Sequence, residues 1–368
     1  MKKVAIFIYS LGGGGAEKAI LELATGLRSD FDVRIVTMSP VQSYDDYGFE
    51  VVSLHRHDLK SSTIDKVLSV FKLASSFASY CKKEGISVVI SALSRPNLIA
   101  ALAKTLYPRL YLIAAEHTTL SNYYDNTVSS KALKFALSLA YKVANKVVAV
   151  SSGIKDDLAQ NFGVKKSNIH VIYNPVDIQK IKLMALQGVD RNSSEFVFVT
   201  AGRLVESKNY PFLFEAFKSM PSFCKLWILG AGELEGELKF LAVEMGIHER
   251  VTFFGFCENP YSYFASADAF VMSSRLEGLP TVLIEALACG IPVISTDCKS
   301  GPREILKGDA DMLVSGMEKA EYGLLVSLDS PRFLALAMSK MVDEESLRVE
   351  LRKKSAQRVN DFSKEHAF

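Results

Sequence analysis

The chain has 368 residues, 49% apolar and 23% charged, with a formal net charge of +2. These values exclude a disordered or fibrous polymer and give two domains of ordinary size, each with its own core. The five cysteines, Cys81, Cys224, Cys257, Cys289 and Cys298, form no C-x-x-C pair and no finger spacing. That excludes a zinc finger and fits scattered thiols in a reducing cytoplasm.

The first apolar run, 4–9, is too short for a signal sequence and reads as a strand. Further strands are expected at 33–38, 51–54, 88–92, 111–115 and 147–150, with helical segments between them. A second series follows at 196–201, 226–229, 251–254, 269–272, 292–295 and 324–326. Strand–helix alternation predicts an α/β class with parallel sheets covered on both faces. Two series of similar length predict two doubly wound, Rossmann-like domains. The join falls near 173–177, where Asn174-Pro175 interrupts structure, giving domains 1–175 and 176–368. The longest apolar stretch, 98–115, is broken by Lys104, Pro108 and Arg109, so no bilayer span is expected.

Charge is unevenly shared. Residues 1–175 hold 21 Lys and Arg against 14 Asp and Glu, whereas the remainder holds 22 against 27. A basic first half suits an anionic partner. Segment 129–145 sets Lys131, Lys134 and Lys142 among Leu133, Phe135, Leu137 and Tyr141. A membrane surface or a pyrophosphate-linked lipid fits that pattern better than nucleic acid, and an ordinary solvated helix is the plain alternative.

Ligands of open α/β sheets bind outside the carboxyl ends of strands, so residues just after each strand are read for chemistry. The first strand leads into Gly12-Gly13-Gly14-Gly15 at a helix start, where backbone and helix terminus favour an anion. A dinucleotide site would want an acid ending the second strand, but 36–40 has none, which argues against a nicotinamide enzyme. His55-x-His57 lacks a carboxylate at ligand spacing and reads as surface loop. Glu116-His117 ends the fifth strand, at an edge where function concentrates.

In the second half, Gly202-Arg203 follows its strand directly, with Lys208 five residues beyond Arg203. A planar fork and a mobile point charge together suit a leaving diphosphate. Gly230-Ala231-Gly232 ends another strand, and 254–259, with Phe256, offers an apolar shelf for a flat base. Between Glu277 and Asp297 the only charge is Glu285, a carboxylate costly to bury without a hydrogen-bonding partner. Pro280 is expected in the first turn of its helix, leaving backbone N–H groups as an anion site. An acidic hydroxyl-binder and a phosphate cradle thus lie about one helical turn apart, as in a sugar nucleotide. Asp30-x-Asp32 and Asp309-x-Asp311 match a metal-transferase pattern, but neither follows a core strand, and both read as incidental.

Taken together, Gly-Gly-Ala-Glu, Glu-His, Gly-Arg with its later Lys, Gly-x-Gly and Glu-Gly-x-Pro-x4-Glu resemble the retaining glycosyltransferases of family 4, which have the GT-B fold. The resemblance covers nearly the whole chain. It implies two Rossmann-like domains facing each other across a cleft, the second holding the donor and the first the acceptor. Residue by residue, Arg203 and Lys208 would hold the donor diphosphate beside Gly202, helped by backbone N–H groups of Gly278, Leu279, Pro280, Thr281 and Val282, where Pro280 itself brings none. Glu285 would take the ribose hydroxyls and Glu277 the sugar hydroxyls. Phe256 would face the base, Gly14 and Gly15 would approach the donor from the other domain, and His117 would lie near the transferred sugar. Arg95 and Asn97, after the fourth strand, would touch the acceptor. The chain looks most like bacterial N-acetylgalactosaminyl or hexosaminyl transferases that build polyprenyl-pyrophosphate-linked oligosaccharides. UDP-N-acetylhexosamine, or a UDP-hexose, is the implied donor, with no metal cofactor and no nucleic acid partner. The implied placement is cytoplasmic, peripheral on the inner face of the membrane. In such a fold a final helix crosses back to the first domain, and here 362–368 begins one and stops. The segment 307–322 lengthens the loop before Gly323 with no evident purpose.

The chemistry centres on charge developing on a departing diphosphate, which two cations and a helix N-terminus oppose at ~3 kcal/mol per donor. Glu277 and Glu285 are eight residues apart and address different parts of one ligand, so same-face attack is favoured over a two-carboxylate scheme. A sugar-nucleotide epimerase and a non-catalytic nucleotide-sugar binder remain the competing readings.

Overall fold

A computed structural model describes residues 1–12, 14–41, 48–54, 63–122, 127–308 and 313–364, with the backbone alone at 63–67, 122 and 128–129. Gly13, His55, His57, Asp309, Asp311 and the last four residues of 362–368 lie outside the described residues. The chain divides between Pro175 and Val176 into two compact units.

The first unit is built on β1 (Lys2–Ile8), β2 (Phe31–Thr37), β3 (Val51–Ser53), β4 (Val88–Ala92), β5 (Tyr111–Glu116), β6 (Lys146–Ala149) and β7 (Ile169–Val171). They form one parallel sheet in the order β3-β2-β1-β4-β5-β6-β7. Helices cover both faces, so β1 reads as an unbroken apolar run, buried from Val4 to Ile8. Ile6, Ile8 and Ile35 meet Ile20 and Leu21 of the Gly15–Leu27 helix on one face. On the other, Phe7 stacks on Phe77 with ring centroids 4.2 Å apart. Each such buried side chain contributes roughly 1.5–3 kcal/mol of transfer free energy.

The second unit carries β8 (Phe196–Ala201), β9 (Cys224–Leu229), β10 (Val251–Gly255), β11 (Ala269–Met272), β12 (Val293–Thr296), β13 (Met317–Lys319) and β14 (Leu324–Val326). Their order is β10-β9-β8-β11-β12-β14-β13, parallel except that β13 runs antiparallel to β14. The Tyr210–Lys218 and Pro331–Asp343 helices bury Phe214, Phe217, Leu334 and Met338 against Phe198, Leu226 and Ile228.

Two strands go beyond the sequence expectation. β7 is only three residues long, and β13 is the polar Met-Glu-Lys, so neither carries the apolar run that marks a buried strand. β13 also explains the long segment 307–322, which closes the sheet with an antiparallel edge strand. The Lys307–Glu318 ion pair, at 3.1 Å, ties that strand to the preceding helix end. Among the described residues no helix is long and apolar enough to cross a membrane.

Candidate active site

Strand order reverses direction at one place in each sheet, between β1 and β4 in the first unit and between β8 and β11 in the second. At such a point the two connections leave to opposite sides and open a crevice at the carboxyl ends. Loop 9–14 and the turn at Leu93 that opens the Ser94–Leu106 helix flank the first switch point, and loops 202–209 and 273–280 flank the second.

In the second unit the two loops are stitched together. The Arg275 N–H donates to Ser207 O at 2.8 Å, and Ser273 Oγ donates to Lys208 O at 2.9 Å. Across this seam Lys208 Nζ meets Glu277 Oε1 at 2.6 Å, both side chains largely buried. Arg203 is exposed at the mouth of the same loop. Tyr210, nearly sealed, donates its hydroxyl to Gly202 O at 3.2 Å. Its pKa is pushed up, first by burial and then by the Glu277 charge, so it stays a donor. Gly230 keeps the neighbouring loop close: a Cβ there would sit 2.0 Å from Gly202 O, and its φ of +131° is one L residues rarely adopt.

The Thr281–Ala288 helix follows Glu277. Pro280 is its N-cap rather than a residue of its first turn, so the helix begins at Thr281. The Leu283 N–H turns back to Pro280 O at 3.0 Å, while the N–H groups of Thr281 and Val282 precede any intrahelical acceptor. Proline's missing N–H therefore sits just outside the cradle. A platform beneath holds this loop in place, with Ser300 Oγ donating to Gly278 O at 2.7 Å. Gly301, at φ +92°, would bring a Cβ within 2.4 Å of Pro280 Cδ. The buried Asp297–Arg303 pair anchors the platform, and Asp297 also accepts from Val314 N at 2.7 Å. Glu285 lies one turn into the helix, 7% exposed among buried neighbours. Phe256 is exposed just past the edge strand β10, outside the Lys208–Glu277 cluster.

The first unit's edge is different in kind. His117 follows β5 and is 8% exposed, and neither ring nitrogen has a partner among the described residues. Burial lowers its pKa to about 4, so it is neutral at pH 7. Glu116 is fully buried, and that burial raises its carboxyl to about 7 against the pull of its hydrogen-bond donors. Asn97 does not face an acceptor: it is 1% exposed, takes the Ser91 hydroxyl at 2.6 Å and donates to Ala115 O at 2.9 Å. Its place after the fourth strand suggests an acceptor contact, but here the sheet edge supplies backbone and side-chain partners for it. Arg95 remains half-exposed in the first turn of the Ser94–Leu106 helix, and Leu93 before it holds a left-handed φ of +77°. Gly14 caps the Gly15–Leu27 helix without a side-chain bond.

Asp30 and Asp32 lie at the amino end of β2, at the opposite edge from these loops, with Arg34 3.8 Å from Asp32. Among the described residues no three His, Cys, Asp or Glu side chains gather as a metal would require.

Sequence signals could have pointed to Ser273, which directly follows β11, and to Ser300 and Gly301, which lie just ahead of Pro302 at the start of the next helix. The Tyr141–Glu116 bond joins positions 25 apart and has no local signature.

Comparison with known proteins settles the lineage. Residues 13–180 match the family described as Glycosyltransferase Family 4, and residues 186–358 match Glycosyl transferases group 1. A Campylobacter jejuni N-acetylgalactosamine-N,N'-diacetylbacillosaminyl-diphospho-undecaprenol 4-alpha-N-acetylgalactosaminyltransferase is 34% identical over 99% of this chain and 96% of its own length. The chain belongs to glycosyltransferase family 4. It is a glycosyltransferase, and the two matched segments contain His117, Arg203, Lys208, Glu277 and Glu285. A second Campylobacter jejuni relative, a GalNAc-alpha-(1->4)-GalNAc-alpha-(1->3)-diNAcBac-PP-undecaprenol alpha-1,4-N-acetyl-D-galactosaminyltransferase, is 27% identical over 100% of this chain and 96% of its own. Among solved structures, HepE of Anabaena with UDP and glucose superposes with a TM-score of 0.77 at 20% identity, covering 100% of this chain and 98% of that one. That likeness speaks for the GT-B fold alone.

Proposed function

We propose that this family 4 enzyme transfers an N-acetylhexosamine from its UDP derivative to a saccharide carried on polyprenyl diphosphate, with retention and without a metal. The second unit holds the donor and the first the acceptor, and the protein works at the cytoplasmic face of the membrane in glycan assembly. The observation that carries the reading is the Lys208–Glu277 pair, at 2.6 Å, beside the switch point and a few residues ahead of a helix N-terminus. The likeness to the undecaprenol-linked N-acetylgalactosaminyltransferase supports the choice of sugar and acceptor.

The chemistry follows from these groups. Arg203, Lys208 and the N–H groups of Thr281 and Val282 oppose the charge that develops on the leaving diphosphate. Glu285 accepts from the ribose hydroxyls. Glu277, neutralised by Lys208, is a poor nucleophile and a good acceptor for sugar hydroxyls. The incoming acceptor hydroxyl therefore attacks from the face the diphosphate leaves, and the departing phosphate oxygen takes its proton. His117, neutral and with both buried ring nitrogens lacking a partner among the described residues, hydrogen-bonds the transferred sugar without changing charge. Arg95 sits in a helix first turn, where an anion is favoured and a cation is not, so it suits the acceptor's diphosphate.

The Val128–Val143 helix supports contact with an anionic membrane. Phe135 is 66% exposed and Leu139 47%, spaced four apart, with Lys131 and Lys142 exposed beside them. An apolar stripe rimmed by lysines is the pattern of an interfacial helix.

The test is transfer of labelled N-acetylgalactosamine from UDP to a polyprenyl-diphosphate saccharide in the presence of excess chelator, with NMR of the new linkage. An α-linked product formed at full rate is expected. An inverted product, a chelator-sensitive rate or a sugar trapped covalently on Glu277 would contradict the mechanism.

A further inference from the structure

The strongest feature outside the donor loops is the buried carboxyl that precedes His117. Glu116 is 0% exposed, and both of its oxygens are engaged. Oε1 accepts from the His117 N–H at 3.1 Å and from Thr118 Oγ1 at 3.0 Å. Oε2 accepts from the Tyr141 hydroxyl at 2.6 Å, with Asn97 Nδ2 at 3.5 Å. Asn97 is locked in turn by Ser91 of β4 and the carbonyl of Ala115 in β5. One side chain thus ties together two strands, the Ser94–Leu106 helix, the Val128–Val143 helix and the turn that carries His117.

We infer that Glu116 is a positioning residue for transfer: held by Tyr141, Thr118 and Asn97, its carboxylate fixes the turn from which His117 meets the transferred sugar. This rests on the proposed placement of His117 beside that sugar. A carboxylate is a costly group to bury, and purely structural filling would be served by an apolar side chain of similar volume. Here every neighbour within reach donates, so an acceptor-only group fits where an amide would set its own N–H groups against them. The His117 ring has no partner of its own among the described residues. Its backbone N–H, held by Glu116, is therefore the nearest fixed point for the ring, and small displacements of a substrate-facing group are expensive in rate.

The ionised form of Glu116 makes these bonds, and protonation puts an O–H where donors already point. Burial places that change near pH 7. The titratable groups facing Glu116 are Tyr141 from the Val128–Val143 helix and His117 from the turn, while β4 and the Ser94–Leu106 helix bring the neutral Ser91 and Asn97. His117 titrates far lower, at about 4, so the two limbs are separable. Activity should therefore rise with pH through about 7.

The experiment compares Glu116→Gln, Tyr141→Phe and His117→Ala with the wild type in kcat, donor KM, pH profile and melting temperature. Glu116→Gln is expected to lower kcat by roughly 10–100-fold at unchanged donor KM and to erase the limb near neutrality. Tyr141→Phe keeps the ring packed on Phe162 and should lower kcat less while moving the limb to higher pH, because a bond favouring the charged form is lost. If Glu116→Gln fails to fold, the limb shift in Tyr141→Phe decides alone. Wild-type kcat in Glu116→Gln, or a limb unmoved in both variants, overturns the inference while leaving the proposed function intact. A wild-type rate in His117→Ala removes the placement of His117 and the inference with it.

Discussion

The two units arrange their first five strands in the same order but equip the carboxyl ends of those strands in opposite ways. In the second unit the edge is charged and internally paired: Lys208 meets Glu277, and a helix opens its N–H groups a few residues later. In the first unit the edge is buried and neutral at His117, with a single carboxyl tied into a network of donors. Under the proposed function, the difference suits the two halves of a transfer reaction. A leaving diphosphate develops charge and needs fixed cations and dipoles, whereas an attacking hydroxyl needs a shaped, dry surface that does not itself take up charge.

The sharpest way to break this contrast is at the charged edge. Lys208→Ala removes a cation together with its 2.6 Å ion pair to Glu277, so kcat should fall by about 10²–10³-fold in steady-state assays, as for other preorganised charge-stabilising groups. Loss of less than about tenfold would assign Lys208 to structure alone. Glu285→Gln keeps the volume but removes the charge, and donor affinity by calorimetry should weaken by about 10–100-fold, the usual cost of a charged hydrogen bond. Unchanged affinity would separate Glu285 from the ribose. Gly301→Ala forces a Cβ against Pro280 at a left-handed φ, and chemical denaturation should show a loss of about 1–3 kcal/mol, with donor binding weakened as the Gly278–Thr281 loop shifts. A neutral result would mean the platform moves freely.

The neutral edge is sharpened by pH. His117, lowered from 6.5 to about 4, makes the folded state gain stability as pH rises through that window. Glu116, raised from 4.5 to about 7, makes it lose stability as pH rises through its own. Between pH 4.5 and 6.5 the two slopes oppose each other, so wild-type stability should be nearly flat there. In His117→Asn only the Glu116 slope remains, and urea midpoints should fall from pH 4.5 to 6.5. A flat profile in that variant would mean Glu116 does not titrate as its burial requires. The smallest effect is at the surface: Phe135→Ser should reduce sedimentation with anionic vesicles several-fold at low salt, with no change toward a water-soluble acceptor analogue. Equal sedimentation would leave the stripe without a lipid role.

The doubly wound architecture was readable because buried parallel strands are continuous apolar runs, and 196–201 or 269–272 look like little else. The edge strand β13 was not, because its Met-Glu-Lys needs only one partner and no core face. Among the site residues, Glu285 announced itself as a lone carboxylate in an apolar helix. The partnership of Lys208 with Glu277 did not, since 69 residues separate them and only the β8–β11 adjacency brings them together. Asn97 misled for the same reason in reverse: its polar side chain suggested a ligand, while its true partners come from β4 and β5. Composition and spacing report what a residue can do, and tertiary neighbours decide with whom.

The proposed chemistry requires the second unit to hold a diphosphate through its cations. Calorimetric titration of UDP and UMP into the wild type and into Arg203→Ala/Lys208→Ala compares the two ligands directly. The wild type should prefer UDP over UMP by at least about tenfold, and the double variant should bind both equally weakly. An undiminished preference for UDP in the double variant would contradict it.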